Sequence, residues 1–263
     1  MDGGGSTGGT GGNPPDAGRA DSVARIRLVN LAPLDAPFDL CTAVHGSGEF
    51  EGPLLASEGL SAGVRYADVS GYVPIPAGTL DFRLVPVDAG CSQALEGTKD
   101  LTDLPPFAAG AIFTGAAVAR SLQPLQIFQD DVAAPDSQTA GLRFINCSAD
   151  NPSLDLGIID DGGFTPWVTG AQFLSVGGTA QMYSLDANGY LAVPEVASAL
   201  LEVEYLSKDL LDLSLPSGQG PALNGGALYT LFAVGGASLN GLLCADLSLL
   251  ESSYTACVLY APP

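Results

Sequence analysis

The sequence predicts an all-β protein: two tandem antiparallel β-sandwich domains behind a glycine-rich N-terminal tether. Three observations predict it. First, the chain repeats itself, most clearly at a shift of 116 residues, as in Arg27-Leu-Val-Asn30 against Arg143-Phe-Ile-Asn146. Second, apolar residues alternate with charged ones at a period of two, which marks strands with one buried face. Third, Gly (34) and Pro (19) punctuate the 263 residues densely, which disfavours long helices and suits short strands joined by turns.

Residues 1–23 come first. The opening MDGGGSTGGTGGNPPDAGRADS has eight glycines in 22 residues and no apolar cluster. Such a segment cannot bury enough surface to offset the entropy of ordering it, so it is expected to be a disordered tether. It contains no basic region followed by an apolar one, so no signal peptide is expected in the sequence as given. A Gly/Ser/Thr/Asp tether before a β-rich domain fits the mature end of a bacterial lipoprotein, although the cysteine that would carry the lipid is absent.

The first domain is expected at 24–131, a linker at 132–139 (VAAPDSQT) and the second domain at 140–263. Further matches support the division. Phe38-Asp-Leu40 pairs with Leu154-Asp-Leu156, and Gly71-Tyr-Val73 with Gly189-Tyr-Leu191. Leu80 to Leu84 pairs with Leu201 to Tyr205, Gly110 to Thr114 with Gly226 to Thr230, and Ile127 to Asp130 with Leu243 to Asp246. The shifts drift from 116 to 121 and return, as small insertions would require. A period of this length fits a whole domain rather than a solenoid unit.

Within the copies, Leu80, Phe82 and Leu84 alternate with Asp81 and Arg83, and Leu201, Val203 and Tyr205 with Glu202 and Glu204; each run reads as a strand with a solvated outer face. Gly110 to Val118 and Gly226 to Val234 are almost wholly apolar, as expected of central strands covered on both faces. Turns fall at Pro76-Ala-Gly78, Asp88-Ala-Gly90, Asp161-Gly-Gly163, Asn188-Gly189 and Asn224-Gly-Gly226. The one window with helical character, Pro194 to Leu201, suits the tip of a strand pair equally well.

Charge narrows the function. Against 29 Asp and Glu stand 9 Lys and Arg, a net charge of −20, and Lys99 and Lys208 are the only lysines. Such a chain cannot neutralise a run of phosphates, so no nucleic-acid partner is expected. An electrostatic hold on an anionic membrane is equally disfavoured, leaving an N-terminal lipid anchor as the only expected membrane contact. The longest apolar stretch, Phe107 to Ala119, is too short to span a bilayer as a helix.

There are five cysteines, no C-x-x-C pair and one histidine, so a Cys/His zinc site is not expected. Cys41 and Cys91 occur together in the first copy and are absent together from the second, so they are expected to pair. Cys244 on the last matched strand and Cys257 in the tail Ser252 to Pro263 form the second expected bridge, leaving Cys147 as a buried thiol. The alternative for the second copy joins Cys147 to Cys244.

The residues also carry a resemblance. Ala24-Arg-Ile-Arg-Leu-Val-Asn-Leu-Ala-Pro-Leu-Asp-Ala-Pro-Phe-Asp-Leu40 resembles the opening ARVRVVHASPDAPAVDV of bacterial domain-of-unknown-function family 4397. Tyr72-Val-Pro-Ile-Pro-Ala-Gly-Thr79 is similar to that family's Y-x-x-LPAGT, and Phe107 to Thr114 to its L-x-AGK-x-YT strand. The second copy matches more weakly, its Val193-Pro-Glu-Val196 having lost the PAG turn. Asn30 and Asn146 stand where the family pattern has histidine. The resemblance implies Ig-like or prealbumin-like sandwiches, often in tandem, in secreted or envelope proteins, and brings no catalytic residues with it.

No catalytic constellation emerges. His45, in His45-Gly-Ser-Gly48, reads as an exposed loop residue rather than a base, and no serine sits in a G-x-S-x-G elbow. Asp130-Asp131 and Asp160-Asp161-Gly162-Gly163 offer oxygen ligands without calcium-loop spacing, so they read as solvated loop acids and no metal or cofactor is expected. Asn146-Cys-Ser148 fits the glycosylation pattern but falls in an expected strand. Trp167, near Phe164 and Phe173, reads as an apolar anchor, with an exposed carbohydrate platform as the alternative. The expectation is a monomeric, non-enzymatic, extracytoplasmic protein of the cell envelope, or a secreted one, engaging a protein or glycan surface. A carbohydrate-binding module and a carboxylate-dependent hydrolase are the alternatives.

Overall fold

The computed structural model describes residues 22–32, 36–118, 125–130, 133, 135–161, 163–206, 208–213, 220–235, 238–246 and 257–261. The expected tether therefore lies outside the described residues except at its last two positions, and the expected linker is described only at 133 and 135–139.

The N-terminal half opens with β1 (Val23–Asn30) and β2 (Phe38–Val44), followed by a single helical turn, α1 (Leu54–Ser57). Then come β3 (Val73–Pro76), β4 (Leu80–Pro86), β5 (Ile112–Ala117) and β6 (Leu125–Gln129). The C-terminal half runs β7 (Thr139–Asn146), β8 (Ser153–Asp160), β9 (Gly163–Gln172), β10 (Thr179–Ala180), β11 (Tyr190–Pro194) and β12 (Leu201–Tyr205). It ends with β13 (Lys208–Leu213), β14 (Leu228–Gly235), β15 (Leu239–Ala245) and β16 (Cys257–Tyr260). Nothing helical forms between Pro194 and Leu201; there Val196 bridges to Leu223 as extended chain.

Four sheets result. In the first half, β3-β1-β5-β6 faces the pair β2-β4; in the second, β11-β7-β14-β15-β16 faces β10-β9-β8-β12-β13. The fold is all-β and sandwich-like, but pairing is not purely antiparallel. β1 runs parallel to β5, with Arg27 opposite Thr114, and β7 runs parallel to β14, with Arg143 opposite Thr230. After β1 the chain crosses to the opposing sheet as β2, returns to the other edge of β1 as β3, crosses again as β4, and comes to lie beside β1 as β5 only some eighty residues after β1 ends. No hairpin constrains that pair, and such a crossover permits parallel pairing.

The larger sheets are covered on both faces. From β1, Ala24, Ile26 and Leu28 point into the first half's core with Phe38, Phe82 and Phe107. Their neighbours Val29 and Leu31 point the other way, into a second apolar cluster. β7 does the same: Ala140, Leu142 and Phe144 enter the second half's core, while Ile145 and Cys147 join that shared cluster. The shared cluster draws Ala116, Val118 and Phe128 from one half and Phe232, Val234, Leu242 and Cys244 from the other. Each half therefore covers the outer face of the other's larger sheet, which is why β5 is buried along its whole length and β14 at all but its last residue.

The outer faces of β4 and β12 depart from the expected solvated pattern. Asp81, Glu202 and Glu204 are all buried. Asp81 is covered by the loop after β2, and the two glutamates are flanked by β8 and β13.

Candidate functional site

A cluster of charged side chains lies where the halves meet. Arg27 and Arg143 are fully buried, each projecting from the first strand of its half away from that half's own core. Arg27 donates Nε to Thr114 Oγ1 at 2.8 Å and reaches across with Nη2 to Asp246 Oδ1 at 2.6 Å. Arg143 mirrors it, donating Nε to Thr230 Oγ1 at 3.2 Å and Nη2 to Asp130 Oδ1 at 2.5 Å. Each aspartate is held within its own half: Tyr72 and Thr114 donate to Asp130, and Tyr190 and Thr230 donate to Asp246. Each guanidinium also lies over its own half's tyrosine, Arg27 on Tyr72 and Arg143 on Tyr190. The arrangement is a reciprocal exchange, in which each half supplies one arginine to the other's Thr-Tyr-Asp receptor.

The parity of β1 explains it. Arg27 lies between Ile26 and Leu28 in a strand whose odd positions face the other half from Arg27 onward, so its charge must find a partner there or remain orphaned. Burial pushes the Asp130 carboxyl toward its neutral form. Arg143 and Arg27, with the hydrogen bonds from Tyr72 and Thr114, together outweigh that push, and the carboxyl is held below its usual value. Burial likewise opposes the charge of Arg27, and Asp246, Tyr72, Asp130 and Tyr190 together more than restore it. Both arginines therefore stay ionised in the interior. The exchange is not perfectly symmetric: Arg143 Nη1 donates to the Gln129 carbonyl, whereas Arg27 Nη1 has no hydrogen-bond partner among the described residues.

Cys41 is bonded to Cys91 and Cys244 to Cys257, and Cys147 is a buried free thiol whose pKa burial pushes up. Cys244 and Cys257 sit directly opposite each other on β15 and β16, so the bridge staples the C-terminal strand to its sheet. Most of the tail before Cys257 lies outside the described residues.

His45 is about half exposed, and its Nδ1 lies 2.8 Å from Asp81 Oδ1, while Asp81 also accepts from the Gly46 amide. The Asp81 hydrogen bond and charge raise the His45 pKa above its ordinary value. Trp167 is buried edge-on against Tyr183, so it is an anchor and no platform. Asn146 is wholly buried, donating to the Asn151 and Ala171 carbonyls and accepting from the Ser148 amide, which leaves no room for a glycan. Asn30 closes the equivalent turn by accepting from the Ala32 amide. Of the loop acids weighed for calcium, Asp130 is no solvated residue, because it is spent on the two arginines. Asp160 is exposed and accepts from Thr165. Asp131 and Gly162 lie outside the described residues.

The second concentration of charge was visible in the sequence only as half of an alternating strand. Glu202 and Glu204 share one face of β12. Glu204 stands opposite Asp209 on β13 and Asp155 on β8, and Glu202 stands opposite Asp212. A bulge between Val203 and Glu204 skips Leu210 in the register, so Asp209 comes to face Glu204. Glu202, Glu204 and Asp209 each offer one carboxylate oxygen, and these lie within 4.8 Å of one another. Burial, followed by Asp209, Glu204 and Asp212, pushes the Glu202 carboxyl up to about 8.

A shallow depression of about 360 Å³ is lined by Gly141, Ser184, Asp186 and Tyr190 among others, and none of the residues weighed above for catalysis lines it.

The sequence reading missed the arginine exchange as a site, although its signal was present. Arg27, Thr114, Asp130 and their counterparts Arg143, Thr230 and Asp246 all recur at the same shift, in a chain with few cations.

The family model described as "Domain of unknown function (DUF4397)" matches residues 24–157, beginning in β1 and ending in β8. Among solved structures, a "putative cell adhesion protein" from Bacteroides fragilis NCTC 9343 aligns over 91% of this chain and 98% of that one. Its identity is 12% and its TM-score 0.17, a level of likeness that carries no structural argument. No curated protein matches the chain. With just over half of its residues matched by that model, this chain belongs to the DUF4397 family of domains of unknown function.

Proposed function

We propose that the chain is two copies of one family domain, docked as a single unit, and that it serves as a non-enzymatic adhesion or recognition module in the cell envelope or outside the cell. The observation that carries this reading is the reciprocal Arg27–Asp246 and Arg143–Asp130 exchange beside a shared apolar cluster. An exchange of this kind serves to hold two domains in one relative orientation, so that the loops at their ends form one extended surface. The strand orders β3-β1-β5-β6 and β11-β7-β14-β15, each with its parallel central pair, support the two-copy reading. Two disulfides support an oxidising, extracytoplasmic compartment. The tether at 1–23 would then hold the module off a membrane through a lipid anchor or leave it free in the medium.

The carbohydrate-platform alternative loses its support with Trp167 buried. The hydrolase alternative would need carboxyls open to substrate, and Glu202 and Glu204 are buried within the sheet face. The test is binding of the bead-coupled chain to arrays of extracellular matrix proteins and of glycans, run beside a panel of glycosidase, esterase and peptidase substrates. Saturable binding to a protein or glycan with no turnover is the expected result. Steady turnover that follows the protein through purification overturns the reading.

A further inference from the structure

We infer that the outer face of β12 and β13 is a calcium site, with Glu202, Glu204 and Asp209 as its protein ligands. Two independent observations meet there. One is the geometry of the donors. Three carboxylate oxygens from two adjacent strands lie within 4.8 Å of one another. Oxygens bound to a common calcium ion at about 2.3–2.6 Å can be at most about 5 Å apart, so the three fit one coordination sphere. Magnesium, with bonds of about 2.0–2.1 Å, would need a tighter set and would keep more of its water.

The other observation is an orphaned acceptor. Glu202 is only 4% exposed, and among the described residues its Oε1 has no hydrogen-bond partner. An unpaired buried carboxylate oxygen is costly, and a cation is the partner that would satisfy it. The protein does not supply that cation: no ion pair reaches Glu202, Glu204 or Asp209 among the described residues. Asp155 and Asp212, across the sheet from the two glutamates, add negative charge around the position. The β13 bulge that brings Asp209 to face Glu204 completes the set. Gly157, opposite Glu202 on β8, has the Phe164 ring over it, which walls that side with apolar surface. An all-oxygen donor set without nitrogen or sulfur suits a hard cation.

The test uses the full chain after chelator treatment and dialysis. Melting temperature and calorimetric titration are measured with calcium chloride, magnesium chloride and sodium chloride at matched ionic strength. Calcium at about 5 mM, above the range typical of extracellular modules, is expected to raise the melting temperature by several degrees, with magnesium giving a smaller shift. Glu202→Gln and Asp209→Asn are each expected to weaken calcium binding at least tenfold. Asp209 is exposed, so its variant reports even if the glutamate variant fails to fold. The inference is overturned if wild type shows no calcium-specific shift, which would mean that the acids share protons instead. It is equally overturned if the shift persists undiminished in Asp209→Asn.

Discussion

Replacing Asp130 by Asn keeps the side chain's shape and removes one charge from a cluster that water does not reach. In the native protein Asp130 accepts from Arg143, Tyr72 and Thr114, and Arg27 Nε lies 3.8 Å away. The variant leaves Arg143 ionised, fully buried and facing a neutral amide. Breaking a buried pair from one side typically costs about 3–5 kcal/mol. For a chain of this size each kcal/mol lowers the melting temperature by about 2–4 °C, so a drop of roughly 6–20 °C is expected. Asp246→Asn is expected to cost less, because Asp246 pairs with Arg27 alone whereas Asp130 faces both arginines. Replacing both members of a pair, as in Asp130→Leu with Arg143→Met, should recover most of the loss, since no unpaired charge remains. The pH dependence follows the sign of the shift. The Asp130 pKa is depressed in the folded protein, so its contribution is present above the ordinary value of 3.8 and is lost as pH falls through the lower folded value. Differential scanning calorimetry and urea titration of the four proteins measure these quantities. An Asp130→Asn protein within about 0.5 kcal/mol of wild type would refute the reasoning, as would a loss confined to the N-terminal half, because Arg143 belongs to the C-terminal half.

Three further outcomes are expected. The isolated segment 24–130 should fold as β structure but self-associate, with Arg27 of one copy meeting Asp130 of another and Val29, Ala116 and Phe128 exposed by the missing half; light scattering that finds only monomer at high concentration contradicts this. Removing the Cys41–Cys91 bridge, which closes a separation of 50 residues, should cost about 4 kcal/mol on the chain-entropy model, as read from urea midpoints of a Cys41→Ala/Cys91→Ala variant. His45 should titrate above its ordinary 6.5 in NMR spectra and return toward it in Asp81→Asn; the interaction is fully present below that value and lost as pH rises through the folded pKa, so an unchanged titration in the variant would remove Asp81 as the cause.

The matched runs Arg27 to Asn30 and Arg143 to Asn146 become the first strands of the two halves, and the Gly110 and Gly226 runs become the central strands β5 and β14. Two cysteines present in one half and missing from the other foretold the bridge at Cys41 and Cys91. What failed was the assignment of faces. A period of two shows that a strand has two sides, and it assigns polar residues to water by default. Asp81, Glu202, Glu204, Asp130 and both arginines broke that default, because what covers a side chain comes from strands distant in the chain. Arg27 and Asp246 are 219 positions apart, and no local pattern links them. The same limit hid the parallel pairing of β1 with β5, which depends on where the chain returns after crossing to the other sheet.

Local chemistry therefore determined which segments are strands and where the chain turns, because backbone geometry and side-chain alternation act over a few residues. The tertiary structure decided which outer face is an interface, which acids meet a cation within the protein and which do not. Burial and Coulomb energy depend on neighbours in space, and a buried charge takes its role from the group that folding sets beside it.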